Sequence, residues 1–378
     1  MRGLQLKKPV DIRFLSREAF AKRWKIDIKK EWPARERRAD EYTLVAFGFM
    51  SARSSLDKFA EQDVSDAIAG FYEFDTKDLF LIGDERDMGI SNSITMAHEL
   101  THAMQDQTYN LKAMYSKVEK NDDKELAFRA LVEGDASLSE SLYLGKQSYD
   151  KEELQSAAEE ESLTFTSYEE APPVMGLTFV FPYSIGTPWV KQLYDRDGWK
   201  GVNAAYKRVP ESTEQILHLD KYYSNDRPVS VRLPNVDRML GKGWEKLRTD
   251  TLGEYQSLIL ISDGATDVSS LANAAAGWEG DSYSVYGQKK GRGVALVWKS
   301  VWESKKDASE FTVALARQQQ RLNGNVFGEE MKLRHGALSL DGADASVRIR
   351  RVGKQVNLVV TRDTDAVVAD RLVKRLLD

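Results

Sequence analysis

The spacing of apolar and polar residues divides the chain into alternating strand-like and helix-like stretches. PVDIRFLSREAFAKRWKID reads as a strand followed by a helix that starts near Ser16, and ARERRADEYTLVAFGFM reads as a second helix. GFYEFDTKDLFLIGDE carries two short strands, Phe71–Phe74 and Leu79–Ile82, about a turn at Asp75–Lys77. A helix over 92–108 follows, with Ser91, Asn92 or Ser93 as its cap. In DKELAFRALVEGDASLSESLYLG the apolar residues keep helical spacing up to Gly145, which predicts a helix over 124–144. Tyr149 to Glu170 is acidic and polar and reads as a solvated surface helix and loop. FVFPYSIGTPWVKQLYDRDGW and STEQILHLDKYY read as mostly helical, with Ser212 as an N-cap three residues before Gln215. Asn225 to Pro234 is a connector.

Beyond about residue 238 the pattern changes. DSYSVYGQKKGRGVALVWKSV alternates on both sides of a Lys-Lys-Gly-Arg-Gly turn, and ASVRIRRVGKQVNLVVTR does so about a second turn, predicting two hairpins. DASEFTVALARQQQRL and DAVVADRLVKRLL read as helices, the latter amphipathic. The expected fold class is therefore α+β. A mainly helical unit with a small N-terminal β element (residues 1–235) precedes a smaller α+β domain (236–378).

Composition narrows the function. The chain has 378 residues, 42% hydrophobic and 30% charged, in the range of a globular protein. A net charge of −5 gives no electrostatic case for nucleic acid, which favours a basic face. No run of about 18 apolar residues predicts a membrane span, and MRGLQLKKPVDIRF has no apolar signal core. Cysteine is absent, so thiol chemistry is excluded and a metal site must draw on His, Asp or Glu.

TMAHELTHAMQDQ holds two of the four histidines. Residues four apart share a helix face, so His98 and His102 can both reach one Zn²⁺. Glu99 lies about 100° around the helix, where it can act as general base on a metal-activated water. Met96, Ala97, Leu100, Ala103 and Met104 suit a buried helix. A catalytic zinc takes three protein ligands and keeps one position open. The expected third ligand is Glu133, a carboxylate set among Ala130, Leu131, Val132 and Ala136, where it is costly to bury without a cation. Gly134 beside it suggests a close approach of this helix to the histidine helix. Asp135 and Asp106 are candidates to accept from the outer N–H groups of the histidines. His218, with Tyr183 second, is the candidate to stabilise charge on the substrate carbonyl. His335, beside a turn glycine, reads as surface. KDLFLIG is placed to pair with extended substrate as an edge strand. GWEGD (Gly277 to Asp281) reads as a tight turn rather than a phosphate cradle.

HELTHAMQD followed by EGDA resembles the gluzincin zinc metallopeptidases, of which thermolysin is the familiar member. The chain resembles still more a group of bacterial, mostly uncharacterised predicted metallopeptidases. GFYEFDTKDLFLIG, HELTHAMQDQ, VEGDAS, STEQILHLDKY and AAGWEGDSYSVY carry that likeness along most of its length. The resemblance implies a zincin-like domain with His98, His102 and Glu133 as ligands of one Zn²⁺ and Glu99 as base. It also implies an extracytoplasmic setting, exported or lipid-anchored. The expected activity is hydrolysis of a peptide or protein substrate. Endopeptidase action is favoured because no motif for gripping a free amino terminus is visible. The alternatives are a zinc-stabilised cell-surface binding or chaperone-like module without catalysis, in which Asp135 or His218 closes the site, and a hydrolase of small amides or esters. The second domain is expected to guide substrate, dock a partner or stabilise the first.

Overall fold

Ser16 starts the first helix: its hydroxyl accepts the Ala19 N–H, so strand β1 (Ile12–Leu15) passes directly into helix α1 (Arg17–Glu31). The computed structural model describes residues 2–51, 54–57, 68–83, 89–149, 155, 172–262, 269–322, 335–342 and 345–377. The expected surface helix and loop over Tyr149–Glu170 lie, apart from Tyr149 and Gln155, outside the described residues. Helix α2 (Ala34–Phe47) ends at Gly48, which takes the left-handed conformation of a helix C-terminus.

Strands β2 (Gly70–Tyr72) and β3 (Leu79–Ile82) form the predicted hairpin, the first strand ending two residues earlier than expected. The sheet order is β1–β3–β2, with β1 parallel to β3. The edge-strand expectation for KDLFLIG is thereby corrected: β3 is the central strand and all four of its residues are buried. The edge beside the next helix is β2. A Cβ at Gly70 would meet Thr95 Cγ2 at 2.6 Å and the Phe80 carbonyl oxygen at 2.8 Å, so glycine lets the strand lie flat on that helix.

Helix α3 (Ile90–Tyr109) starts at Gly89 without a side-chain cap, and Ser91, Asn92 and Ser93 all lie inside it, contrary to expectation. It ends at Asn110, whose side chain caps the short helix α4 (Leu111–Tyr115) by accepting from Ala113 N–H. Helix α5 (Asp122–Leu144) is capped by Asn121 and carries Asp122, Asp123 and Glu125 in its first turn, where the helix dipole favours negative charge. It runs through the middle of the helical core with α6 (Pro173–Ser184), α7 (Gly186–Asp197) and α8 (Trp199–Ala205) around it. Gly134 does not face the histidine helix, which corrects the sequence expectation. It meets Gly186 at the start of α7, where an added Cβ would lie 2.5 Å from the Gly186 carbonyl carbon.

Ser212 caps α9 (Thr213–Leu217) as predicted, and the chain bends at His218 into α10 (Leu219–Ser224). After α11 (Asp237–Leu240) come β4 (Trp244–Asp250), α12 (Gly253–Ser262), α13 (Ser269–Ala275), β5 (Trp278–Gln288) and β6 (Val294–Trp302). Helix α14 (Lys305–Leu322), strands β7 (Ala337–Asp341), β8 (Ala345–Val352) and β9 (Gln355–Arg362), and helix α15 (Ala366–Leu377) complete the chain. The six strands form one antiparallel sheet in the order β4–β5–β6–β9–β8–β7. Alternation sorts its two faces. Val294, Leu296 and Trp298 point to α12, α14 and the end of α2, whereas Ala295 and Val297 point to α15. Val45, Ala46 and Phe47 of α2 are part of this sheet's core, and Tyr255 and Ile259 of α12 are part of the helical core. The fold class is mixed α+β, and no helix among the described residues is long and apolar enough to cross a membrane.

The GWEGD stretch has a structural role. Asp281 is buried, and its carboxylate accepts four N–H groups at 2.8–2.9 Å: the backbones of Leu252 and Gly253 and the indoles of Trp278 and Trp298. It thus fastens the start of α12 to β5 and β6. His335 is exposed, with a positive φ beside Gly336, as expected for a surface turn.

Candidate metal centre

One turn of α3 separates His98 from His102, and their rings stand nearly perpendicular, 4.8 Å between centroids. Ligand atoms of His98, Glu99 and His102 all lie within 4.8 Å of one another. From α5, which crosses beneath, Glu133 brings Oε2 to 3.2 Å from His98 Nε2 and 3.3 Å from His102 Nε2. Two donors each 2.0–2.1 Å from one ion at a tetrahedral angle are themselves about 3.4 Å apart. The spacing of this carboxylate from both rings is close to that edge length and equally to an N–H···O hydrogen bond.

The outer nitrogens decide which atoms face inward. His98 Nδ1 lies 3.0 Å from Glu140 Oε2, and a carboxylate accepts there. His102 Nδ1 lies 2.9 Å from Gln105 Oε1. The Gln105 amide is oriented by its other end, because Nε2 donates to the Val132 carbonyl and to Asp135 Oδ2, both at 3.0 Å. Its oxygen must therefore face His102, and His102 Nδ1 must carry the proton. Both rings then turn Nε2 lone pairs toward Glu133. With neutral rings, lone pairs of both histidines and of Glu133 then face one another, an arrangement that a cation or protons on the two Nε2 atoms would satisfy.

Without an ion, protons on the histidines meet the charge of Glu133. Burial opposes charge on His98, but the hydrogen bonds of Glu133 and Glu140 outweigh it and hold the imidazole well above its usual value. His102 is raised in the same way, burial being outweighed by the charge of Glu133. Glu133 is held well below the usual carboxylate range: burial pushes it up, and the two histidines pull it down further.

Glu99 is buried beside the rings, and its Oε2 accepts the Tyr72 N–H of strand β2 at 2.8 Å. Edge strand β2 thus fixes this carboxylate. Tyr183 of α6 is tilted over the site, 6.4 Å from His98 between ring centroids. Burial and the negative charges of Glu133 and Glu99 hold its phenol well above its usual value, so the proton stays on and can be donated.

The other sequence candidates pair elsewhere. His218 Nε2 lies 2.8 Å from Glu254 Oε1 on α12. The adjoining Thr213 is bound to Asp123, ten residues before Glu133 and so about 15 Å back along α5. Asp106 is hydrogen-bonded to neither histidine; it accepts from Tyr72 Oη, from Lys77 Nζ at 2.6 Å and from Leu111 N–H, and so holds the β2–β3 hairpin to the end of α3. The partners of the histidines are instead Glu140 and Gln105. Asp135 reaches His102 only through Gln105. Sequence reasoning missed Glu140, although it lies seven residues after Glu133, two helical turns along the same face.

A family profile described as "Domain of unknown function (DUF8575)" matches residues 238–371. The matched span covers the six-stranded sheet and part of α15, and every residue of the His98 cluster lies outside it. No curated protein and no solved structure matches the chain.

Proposed function

We propose that this chain is a zinc-dependent metallopeptidase, acting on peptide bonds within a peptide or protein substrate. The observation that carries the reading is the convergence of His98 Nε2, His102 Nε2 and Glu133 Oε2, with both outer imidazole nitrogens already bonded. These three residues would hold the ion. When bound, zinc supplies Lewis-acid polarisation of the scissile carbonyl and lowers the pKa of a water molecule toward 7.

The chain's own residues do the rest. Glu99, tethered through Oε2 to Tyr72 N–H, keeps Oε1 for the attacking water and takes its proton. The same carboxyl then returns that proton to the leaving amine. Tyr183, with its proton retained, donates to the carbonyl oxygen as negative charge builds there. His218, paired with Glu254, has no part in this reading.

A structural zinc clip would need a fourth protein ligand. The two expected candidates are engaged: Asp135 with Arg2, Gln105 and Tyr206, and His218 with Glu254. A buried Glu99 oriented by a backbone N–H supports the catalytic alternative.

The deciding experiment is metal analysis of wild type and Glu99→Gln, combined with digestion of a peptide library with and without chelator. Zinc at one per chain in both proteins, with cleavage in wild type alone and lost on chelation, is the expected result. Zinc in both proteins with no peptide cut by either would replace the peptidase with the non-catalytic module.

A further inference from the structure

Behind His102 the hydrogen-bond chain does not end at Gln105. Asp135 accepts from Gln105 Nε2 at 3.0 Å and from Tyr206 Oη at 2.8 Å on Oδ2, and from Arg2 Nε at 2.5 Å on Oδ1. Arg2 and Asp135 are 133 residues apart in sequence, and both are almost fully buried. The guanidinium lies over the Trp199 ring, 4.4 Å from its centroid, and its Nη1 and Nη2 have no hydrogen-bond partner. Burying a guanidinium with two of its three nitrogens unpaired is expensive. Packing alone would be served better by an apolar side chain of similar volume, so the one bond made, to Asp135, points to a role beyond packing.

The same segment is also clipped to α3 itself. Gln107 Oε1 accepts the backbone N–H groups of Lys7 and Lys8, Gln107 Nε2 donates to the Lys8 carbonyl, and Lys7 Nζ donates to the Gln107 carbonyl. Residues 2–8 therefore grip the C-terminal half of the helix that carries both histidines.

We propose that residues 2–8 are a positioning element of the metal centre, in which Arg2 acts through Asp135 and Gln105 to fix the ring of His102. Arg2 is a positioning residue, three links from His102. Its Nε–H holds Asp135 Oδ1, leaving Oδ2 toward Gln105; that contact helps orient the amide, and the amide oxygen holds the proton of His102 on Nδ1. Without Arg2 the Asp135 carboxylate can turn, the Gln105 amide is left to the Val132 carbonyl alone, and the lone pair of His102 is held less firmly toward Glu133. This inference rests on the metal-site reading above.

The test is zinc affinity, measured by competition with a chelator for wild type, Arg2→Ala, Arg2→Lys, Gln105→Ala and the Arg2→Ala/Gln105→Ala double variant. Cobalt(II) absorption reports ligand geometry in each. Outer partners of metal-bound histidines are typically worth 10–100-fold in affinity. Arg2→Ala is expected to weaken zinc binding by about 10-fold and to alter the cobalt spectrum. Arg2→Lys should restore most of the loss, and the double variant should bind no more weakly than Gln105→Ala alone, because the two act in series. Full zinc affinity in Arg2→Ala, or losses that multiply in the double variant, would overturn the relay while leaving the metal site standing. A wild type that binds no zinc would instead remove the site itself, and the relay with it. If Arg2→Ala does not fold, Gln107→Ala releases the arm without stranding a buried charge; a loss of zinc affinity is then expected, and unchanged affinity overturns the proposal.

Discussion

Glu140 Oε2 lies 3.0 Å from His98 Nδ1, across the ring from Glu133. The two carboxylates lie two turns apart on one face of α5, so a single helix supplies both the inner and the outer partner of that histidine. Removing the outer one frees the ring to rotate and lowers its basicity as a ligand. Glu140→Ala should weaken zinc binding by about 10–100-fold, read by chelator competition, with the far-ultraviolet spectrum unchanged. Zinc affinity equal to wild type would mean that α3 packing alone orients His98.

Tyr183 and Glu99 approach the cluster from opposite elements, α6 and α3, and the proposed chemistry gives them separable roles. Tyr183→Phe removes one hydroxyl and keeps the ring. Removing a comparable oxyanion donor costs about 10²–10³ in kcat. The expected outcome is a fall of that order in kcat with KM and metal content little changed. A variant with full kcat would show that the phenol serves packing or substrate contact instead.

How far the site was legible depended on sequence distance. His98, Glu99 and His102 fall within one helical turn and a bit more, so helical periodicity alone predicts the shared face of the histidines and the glutamate about 100° to one side. Glu133 stood out because a carboxylate amid Ala130, Leu131, Val132 and Ala136 needs a cation. Asp106 misled because it occupies the right turn of α3, but the helix end adds competitors: the Leu111 N–H, the Tyr72 phenol and Lys77 claim both its oxygens. Gln105, one residue earlier, is the side chain that reaches His102. Arg2 carried no local signal at all, since its meaning arises from a contact 133 residues away. In the C-terminal half, turn chemistry and alternation predicted both hairpins. The strand order did not follow, because β6 pairs with β9 across a long connection that no local pattern encodes. GWEGD likewise hid the reason for its aspartate, which is the start of α12 and two tryptophans.

The contact of Gly134 with Gly186 sets the spacing of α5 and α7. In an exposed helix, Gly→Ala is stabilising by about 1 kcal/mol. At 134 the new methyl would lie 2.5 Å from the Gly186 backbone and 2.9 Å from Val190 Cγ2, so the helices must separate. Overpacking of this kind costs about 1–3 kcal/mol or more, which outweighs the propensity gain. Gly134→Ala should therefore lower the melting temperature. Gly145→Ala, at the end of the same helix with φ −61° and nothing nearer than 3.5 Å, should leave it unchanged or raise it. Equal effects at the two positions would remove the close approach as the reason for Gly134.

Where α9, α10 and α12 meet α5, several carboxyl groups are buried together, and their titration sets a pH dependence independent of the metal site. Burial pushes the Asp123 carboxyl up to about 7, against the pull of its bonds from Thr213. Burial likewise raises Glu214 to about 7, with Lys221 opposing. The bond to Glu254 raises His218. In each case the folded state holds a proton that the unfolded chain releases at lower pH. The stability they contribute is thus complete below the ordinary carboxylate value and is lost as pH rises through about 7, with His218 extending the loss above 6.5. For Asp123 the swing is on the order of 4 kcal/mol. Asp123→Asn keeps an oxygen to accept from Thr213 N–H and Oγ1 but cannot ionise. Melting temperature, followed in chelator from pH 5 to 8, should fall more steeply for wild type than for Asp123→Asn. The variant should be the relatively more stable protein at pH 8, where wild type must bury a charge that asparagine does not carry. Parallel curves for the two proteins would mean that Asp123 is ionised in the folded state throughout, its desolvation fully offset by Thr213 and its surroundings.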